Sequence, residues 1–339
     1  MQMREAIDAV MRGRSLTYEQ THAVMRTIMT GEATDAQIGG FLIGLSMKGE
    51  SAEEISAAAQ VMRELMIPVV VHGDNVVDIV GTGGDGANLF NVSTASSFVA
   101  AAGGAHVAKH GNRSVSSSSG SADLFAVAGI KIDLDADQVA RCIDQVGVGF
   151  MFAPMHHKAM RHAIGPRREM GVRTLFNILG PLTNPAGVPN QVLGVYDAAL
   201  VPLMAEVLKR LGSRHVLVVH ADDGLDEISL AAPTRIAELK DGEIREYTIA
   251  PEDFDLERQV LDPLKVVTAE DSLRLVKEAL VGEGAAADIV ALNAGAALYV
   301  SGVADNLAEG VVMAQDAQAS RLPLEKMKEL ADFTRVFAE

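Results

Sequence analysis

The chain has 339 residues, 48% of them hydrophobic, enough for a packed core in one large or two modest domains. Acidic residues outnumber basic ones 45 to 29, a formal charge of −16. Neither nucleic acid nor an anionic membrane is therefore expected as a partner, and an anionic ligand must be held by local groups.

Cys142 is the single cysteine, which leaves no intramolecular disulfide and fits a reducing cytoplasm. The first 20 residues carry charge throughout, so no signal peptide is expected. No run of about 18 apolar residues stands out, so no membrane-spanning helix is expected.

In chain order, residues 1–67 read as helix. Three capping boxes punctuate them: Thr17-x-x-Gln20, Thr34-x-x-Gln37 and Ser51-x-x-Glu54. In each, a hydroxyl can accept from the amide three residues on while the Gln or Glu reaches back. The segment 38–45 is apolar nearly all round and predicts a helix buried on more than one side, within the bundle or against another subunit. Pro68 ends this region.

Short β-branched runs then alternate with helical ones. Strands are predicted at 76–80, 105–109, 149–152, 191–195 and 215–220. Helices are predicted at 94–102, 122–128, 137–146, 201–211 and 271–281. That alternation predicts an α/β fold with a mostly parallel sheet and helices on both faces. Residues 235–249 break the rhythm as a hairpin around Asp241-Gly242, a type I′ turn signal. The alanine-rich C-terminal third predicts helices at 287–302, 306–319 and 324–337.

Four constellations carry chemistry. The first is Asp78-Ile79-Val80-Gly81-Thr82-Gly83-Gly84-Asp85, followed by Asn91-Val92-Ser93-Thr94. A strand enters a glycine turn before a hydroxyl-rich helix start, where backbone amides can converge on an anion. Asp85 beside a phosphate needs another role, a ribose hydroxyl or a hydrated metal. The loop thus suggests a phosphorylated sugar with Mg²⁺. Residues 81–86 also match G-x-G-x-x-G, but Lys109-His110 stands where a dinucleotide site needs an acid.

The second constellation, 109–123, opens with Lys109-His110-Gly111-Asn112-Arg113 and continues through a serine run to Ser121. It follows the next strand and so faces the same crevice, where Lys109 and Arg113 can meet phosphate charge. The third is cationic: His156-His157-Lys158, Arg161-His162, Arg167-Arg168 and Arg173. Its histidine spacing is not that of a metal site, whereas an arginine facing the crevice would suit a carboxylate. The fourth is Asp226-Glu227 beyond the strand at 215–220, an acidic pair that can hold Mg²⁺ through oxygens and water.

These segments, with Ser119-Gly120-Ser121-Ala122-Asp123 and the run from Arg173-Thr174-Leu175-Phe176-Asn177 through Gly180-Pro181-Leu182-Thr183-Asn184-Pro185, resemble the anthranilate phosphoribosyltransferases over essentially the whole chain. The related pyrimidine nucleoside phosphorylases share the fold and glycine loop but differ at the lysine-serine loop, and a phosphorylase-like reaction is the alternative.

The resemblance implies a small helical domain, residues 1–67 joined by about 165–185, and a large α/β domain, 68–339. It places the active site in the hinge cleft between them and implies a homodimer through the helical domain. The reaction implied is transfer of the phosphoribosyl group of 5-phosphoribosyl 1-pyrophosphate to the amine of anthranilate, with Mg²⁺. Gly81, Thr82, Gly83, Gly84, Asp85, Asn91, Ser93, Thr94, Lys109 and Ser121 are similar to the residues that hold the sugar donor. Ser93, Asp226 and Glu227 are similar to the metal ligands. Gly81, His110, Asn112, His157 and Arg167 are similar to the anthranilate contacts, with Arg167 on the carboxylate. Lys158 departs from the proline that many members carry at the channel entrance. No side chain stands out as a nucleophile or general base, and Lys109 with the metal is the expected stabiliser of the transition state.

Overall fold

The computed structural model describes residues 1–113 and 119–338. Ser116, Ser117 and Ser118 of the serine run lie outside the described residues.

The chain opens with four helices: α1 (Met3–Met11), α2 (Tyr18–Met29), α3 (Asp35–Lys48) and α4 (Ala52–Leu65). All three expected capping boxes form, with Thr17, Thr34 and Ser51 accepting from the amides of Gln20, Gln37 and Glu54. α1 packs on α3 and α2 on α4. The contact is close at Gly44, where a methyl group would meet Val10 Cγ2 at 2.7 Å. α3 buries Ile38, Phe41, Leu42 and Leu45, but its opposite stripe of Gly40, Ile43 and Met47 is open. Burial on both sides is therefore not met among the described residues, where no element covers that stripe.

The sheet is built from β1 (Val76–Gly81), β2 (His106–Gly111), β3 (Val148–Phe152), β4 (Asn190–Gly194), β5 (His215–Ala221), β6 (Thr234–Lys240) and β7 (Glu243–Ile249). Its order is β3-β2-β1-β4-β5-β6-β7, parallel through β5 and antiparallel beyond it. The β6–β7 hairpin turns at Asp241 and Gly242, both at positive φ (51° and 81°), as a type I′ turn requires.

Helices α5 (Val92–Ala102), α6 (Ser121–Val127) and α7 (Ala136–Val146) connect the first strands. The short α8 (Ala153–His156) and then α9 (Arg161–Met170) and α10 (Phe176–Leu179) follow β3, and α9 packs on α3 and α2. α9 thus carries residues 161–170 of the cationic run, overlapping the start of the 165–185 segment, onto two helices of the N-terminal group. α11 (Leu200–Arg210) joins β4 to β5. The chain ends with α12 (Ala269–Ala279), α13 (Gly284–Ser301), α14 (Leu307–Ala319) and α15 (Leu322–Arg335).

Two apolar clusters form the core. One lies between the sheet and α5, α7 and α13; the other runs from the bundle through α4 and α11 onto the opposite sheet face. α13 is, by length and composition, apolar enough to cross a membrane, contrary to the sequence expectation, but 78% of it is buried inside the protein. It packs on α14 and α5 as the central helix of the core.

Candidate active site

In the order β3-β2-β1-β4-β5 the connections change direction between β1 and β4, and a parallel sheet opens its crevice at the carboxyl ends of such a pair. Gly81 ends β1 directly beside Gly194, the end of β4. Asp226 rests on both. A side chain at Gly81 would collide with its carboxylate, and one at Gly194 with its backbone. The two glycines are the floor on which the acidic pair sits.

The glycine turn is fastened at three points. The Thr82 amide donates to the Gly194 carbonyl at 2.9 Å. The Tyr196 amide donates to Thr82 Oγ1 at 3.1 Å. The Gly83 amide donates to Asp226 Oδ2 at 2.7 Å. Gly83 and Gly84 follow one another at φ 68° and 82°, a left-handed pair that residues with a Cβ rarely adopt.

Asp85, Asp226 and Glu227 crowd together. Burial first, then the Asp85 charge, pushes the Asp226 carboxyl up to about 7. Burial, then Asp226, pushes Glu227 up to about 8, against the pull of Lys109. Carboxylates held close with so little compensating charge are a donor set for a hard divalent cation. Among the described residues no group of three His, Cys, Asp or Glu side chains is arranged to close on a metal alone, so a cation here needs water or ligand oxygens as well.

Lys109 lies beneath this cluster, 1% exposed. Its Nζ donates to the Ile79 carbonyl at 2.6 Å and to Ser93 Oγ at 3.3 Å. Burial lowers its pKa, while Asp78 and Glu227 oppose that. Thr94 Oγ1 donates to Ser121 Oγ at 3.1 Å, joining the starts of α5 and α6. Arg113, expected from its place after β2 to meet phosphate charge, pairs with Asp123 at 3.0 Å on the surface. Asn112 is exposed beside it.

On the other side of β2, His110 and His157 pack ring to ring at 5.1 Å between centroids. Among the described residues His110 Nε2 is buried without a hydrogen-bond partner, and His157 is buried with only the Thr183 main chain close to its ring. Burial, then the neighbouring histidines, pushes His110 well down and His157 to about 4, so both rings are neutral at pH 7. Arg167 on α9 is half-buried with its guanidinium 5.0 Å from the Phe176 ring centre. Lys158 is exposed on the 3₁₀ turn before α9. Arg161 and Arg168 are exposed as well, the solvated part of the cationic run.

Three residues with no assigned role complete the site. Arg173 stacks on Tyr196 at 4.2 Å and donates to the Gly84 carbonyl, bringing a second cation to the glycine turn. Asp78, fully buried in β1, accepts from the His110 amide at 3.3 Å and from Asn184 Nδ2 at 2.8 Å. Burial pushes its carboxyl up to about 6, while Lys109, Asn184 and the His110 amide hold it down. Asn184 also donates to the Ala108 carbonyl at 2.8 Å, so it bolts segment 180–185 to β1 and β2. A carboxylate within an apolar strand was the sequence signal for Asp78 and membership of the cationic run that for Arg173; Asn184 had only its place in the matched motif.

Residues 4–66 match the helical bundle domain of a glycosyl transferase family, and residues 73–320 match its a/b domain. An anthranilate phosphoribosyltransferase of Chromohalobacter salexigens is 80% identical over 338 residues, covering 100% of this chain and 98% of its own. The chain belongs to the anthranilate phosphoribosyltransferases. The member of that family from Cellvibrio japonicus is 62% identical, with 99% of each chain covered. Among solved structures, the anthranilate phosphoribosyltransferase of Thermus thermophilus superposes with a TM-score of 0.92 at 43% identity, over 97% of this chain and 99% of its own. That of Saccharomyces cerevisiae, in complex with PRPP and Mg, gives a TM-score of 0.89 at 26% identity, with 98% of each chain covered.

Proposed function

We infer that the cleft transfers the phosphoribosyl group of 5-phosphoribosyl 1-pyrophosphate to the amine of anthranilate, releasing pyrophosphate, as a step of tryptophan biosynthesis. The observation that carries this reading is the acidic pair seated on Gly81 and Gly194 and hydrogen-bonded to the glycine turn. That arrangement supports a cation site directly against an anion site at the switch point of the sheet.

Gly81, Thr82, Gly83, Gly84 and Asp85 cradle the sugar donor, and Asn91, Ser93, Thr94, Lys109 and Ser121 hold its phosphates. Asp226, Glu227 and Ser93 hold Mg²⁺. When bound, Mg²⁺ supplies positive charge against the departing pyrophosphate. Lys109 supports Ser93 and adds charge of its own from below. Arg167 takes the anthranilate carboxylate, which its planar guanidinium can grip with two hydrogen bonds. Gly81 and Asn112 flank the ring, and His110 and His157 line its channel.

The amine of anthranilate is neutral at pH 7, so no base is needed to make the nucleophile. The C1–O bond to pyrophosphate breaks through an oxocarbenium-like state, and the nitrogen closes on the opposite face. The chain's contribution is orientation and fixed charge, and the amine's spare proton leaves after the new bond forms.

The same reading divides the chain into a small domain of residues 1–67 with about 165–185 and a large domain of 68–339, the reactants meeting in the cleft between them. It also makes the protein a cytoplasmic homodimer. The open stripe of α3 supports a subunit contact there, with Ile43 37% and Met47 84% exposed.

The test is anthranilate fluorescence followed in time with protein, sugar donor and Mg²⁺, with and without EDTA. Decay that needs both donor and metal is expected. No decay under those conditions, with phosphorolysis of nucleosides instead, would replace this reading with a phosphorylase-like one.

A further inference from the structure

We propose that Ser272 is a positioning residue for the phosphate end of the cleft: it fixes the side chain of Asn91, read above as a phosphate contact, in one pose and away from the α5 amides that this side chain would otherwise cap. The inference rests on the sugar-donor reading above.

An asparagine at a helix N-cap commonly turns its Oδ1 onto a free amide two or three residues on. Asn91 is the N-cap of α5 and makes no such bond. Its Oδ1 accepts instead from Ser272 Oγ at 2.7 Å and from Ser119 Oγ at 3.0 Å, and its Nδ2 donates to the Ser119 carbonyl at 3.1 Å. Ser272 Oγ in turn accepts from the Asn91 amide at 3.0 Å. One hydroxyl, fully buried on the first turn of α12, thus grips both the main chain and the side chain of the same residue.

The grip is part of a strap. The Phe90 amide donates to the Leu264 carbonyl at 3.0 Å, and the Val266 amide to the Asn88 carbonyl at 2.9 Å. Residues 264–272 therefore fix the segment that leads into α5. The consequence is electrostatic. A side-chain carbonyl on the first turn of α5 would compete with a phosphate for the same amides. With Asn91 pinned aside, the Ser93 amide of that turn points to Glu227, and Ser93 Oγ accepts from Lys109.

Removing the Ser272 hydroxyl takes one of its two donors from Asn91 Oδ1 and the partner from its amide, so the side chain, left to Ser119 alone, is loosened toward capping α5 and competing for the site. In Ser272→Ala, KM for phosphoribosyl pyrophosphate should rise about fivefold to tenfold, the size of one or two lost hydrogen bonds. The value of kcat and KM for anthranilate should stay within about twofold. A purely structural role would not predict the second half of the test. In an Asn91→Ala background no side chain remains to swing over, so adding Ser272→Ala should shift that KM by less than about twofold. The same factor in both backgrounds, or a fall in kcat at constant KM, would overturn the inference. If Ser272→Ala does not fold, Ser272→Cys keeps the shape with a weaker donor and must move KM in the same direction. Wild-type protein that consumes no anthranilate would sink the functional reading and this inference together. Normal wild-type turnover with an unmoved KM in the variant would sink this inference alone.

Discussion

The Gly83 amide donates to Oδ2 of Asp226 at 2.7 Å, although 143 residues separate them in the chain. That bond ties the turn after β1 to the segment after β5, so the anion-binding amides and the acidic pair are set by one contact. It is possible because Asp226 lies flat on Gly81 and Gly194, where any Cβ would intrude.

Two alanine substitutions separate seat from side chain. Gly194→Ala drives a methyl group into the Asp226 backbone, which cannot swing aside, and should cost about 3 kcal/mol. A clear drop in the urea midpoint checks it. Gly81→Ala meets mainly the carboxylate, which can rotate. Melting should then stay near that of the parent while turnover falls more than about tenfold, the worth of one misplaced charged contact.

The acidic pair gives the metal prediction. Asp226→Asn with Glu227→Gln should abolish Mg²⁺-dependent turnover. It should leave melting in EDTA unchanged or higher, because neutral amides remove crowded buried charge. Full activity in the double variant would rule out the metal role.

Arg167→Ala should raise KM for anthranilate by about 10- to 100-fold, the worth of a charged hydrogen-bonded contact. KM for the sugar donor should move by less than about threefold. Initial rates against each substrate decide it, and equal changes would sink the assignment.

Acid stability should depend on a cluster far from the cleft. Glu238 accepts from His215 Nε2 at 2.9 Å, Tyr299 Oη at 2.7 Å and Tyr247 Oη at 3.0 Å. Burial pushes its carboxyl up, but these hydrogen bonds, His215 foremost, bring it to about 2. The folded value lies below the unfolded 4.5, so the stabilisation is complete above about pH 4.5 and lost as pH falls toward about 2. Glu238→Gln should be less stable at pH 6 and should lose less stability between about pH 4.5 and 2.5 than the parent. Urea midpoints at both ends measure the difference.

The sequence by itself determined what short-range physics encodes. Thr17, Thr34 and Ser51 mark helix starts because their hydroxyls act within one turn. Asp241-Gly242 marks the hairpin because few residue pairs tolerate two positive φ angles in a row. The sequence also carried the glycine turn, the lysine loop and the acidic pair, whose residue types are dictated by ligand chemistry, in the order that matched the family. Tertiary structure decided the rest. The order β2-β1-β4-β5, which opens the crevice, arises from pairing between strands far apart in the chain. The seat of Asp226 on Gly81 and Gly194, the turn of Arg173 onto Gly84 and the grip of Ser272 on Asn91 likewise join distant residues. Arg113, read as facing phosphate, pairs with Asp123 instead, and the apolar stripe of α3 stays open. Those outcomes depend on which surfaces meet in space, and no local spacing of residues records that.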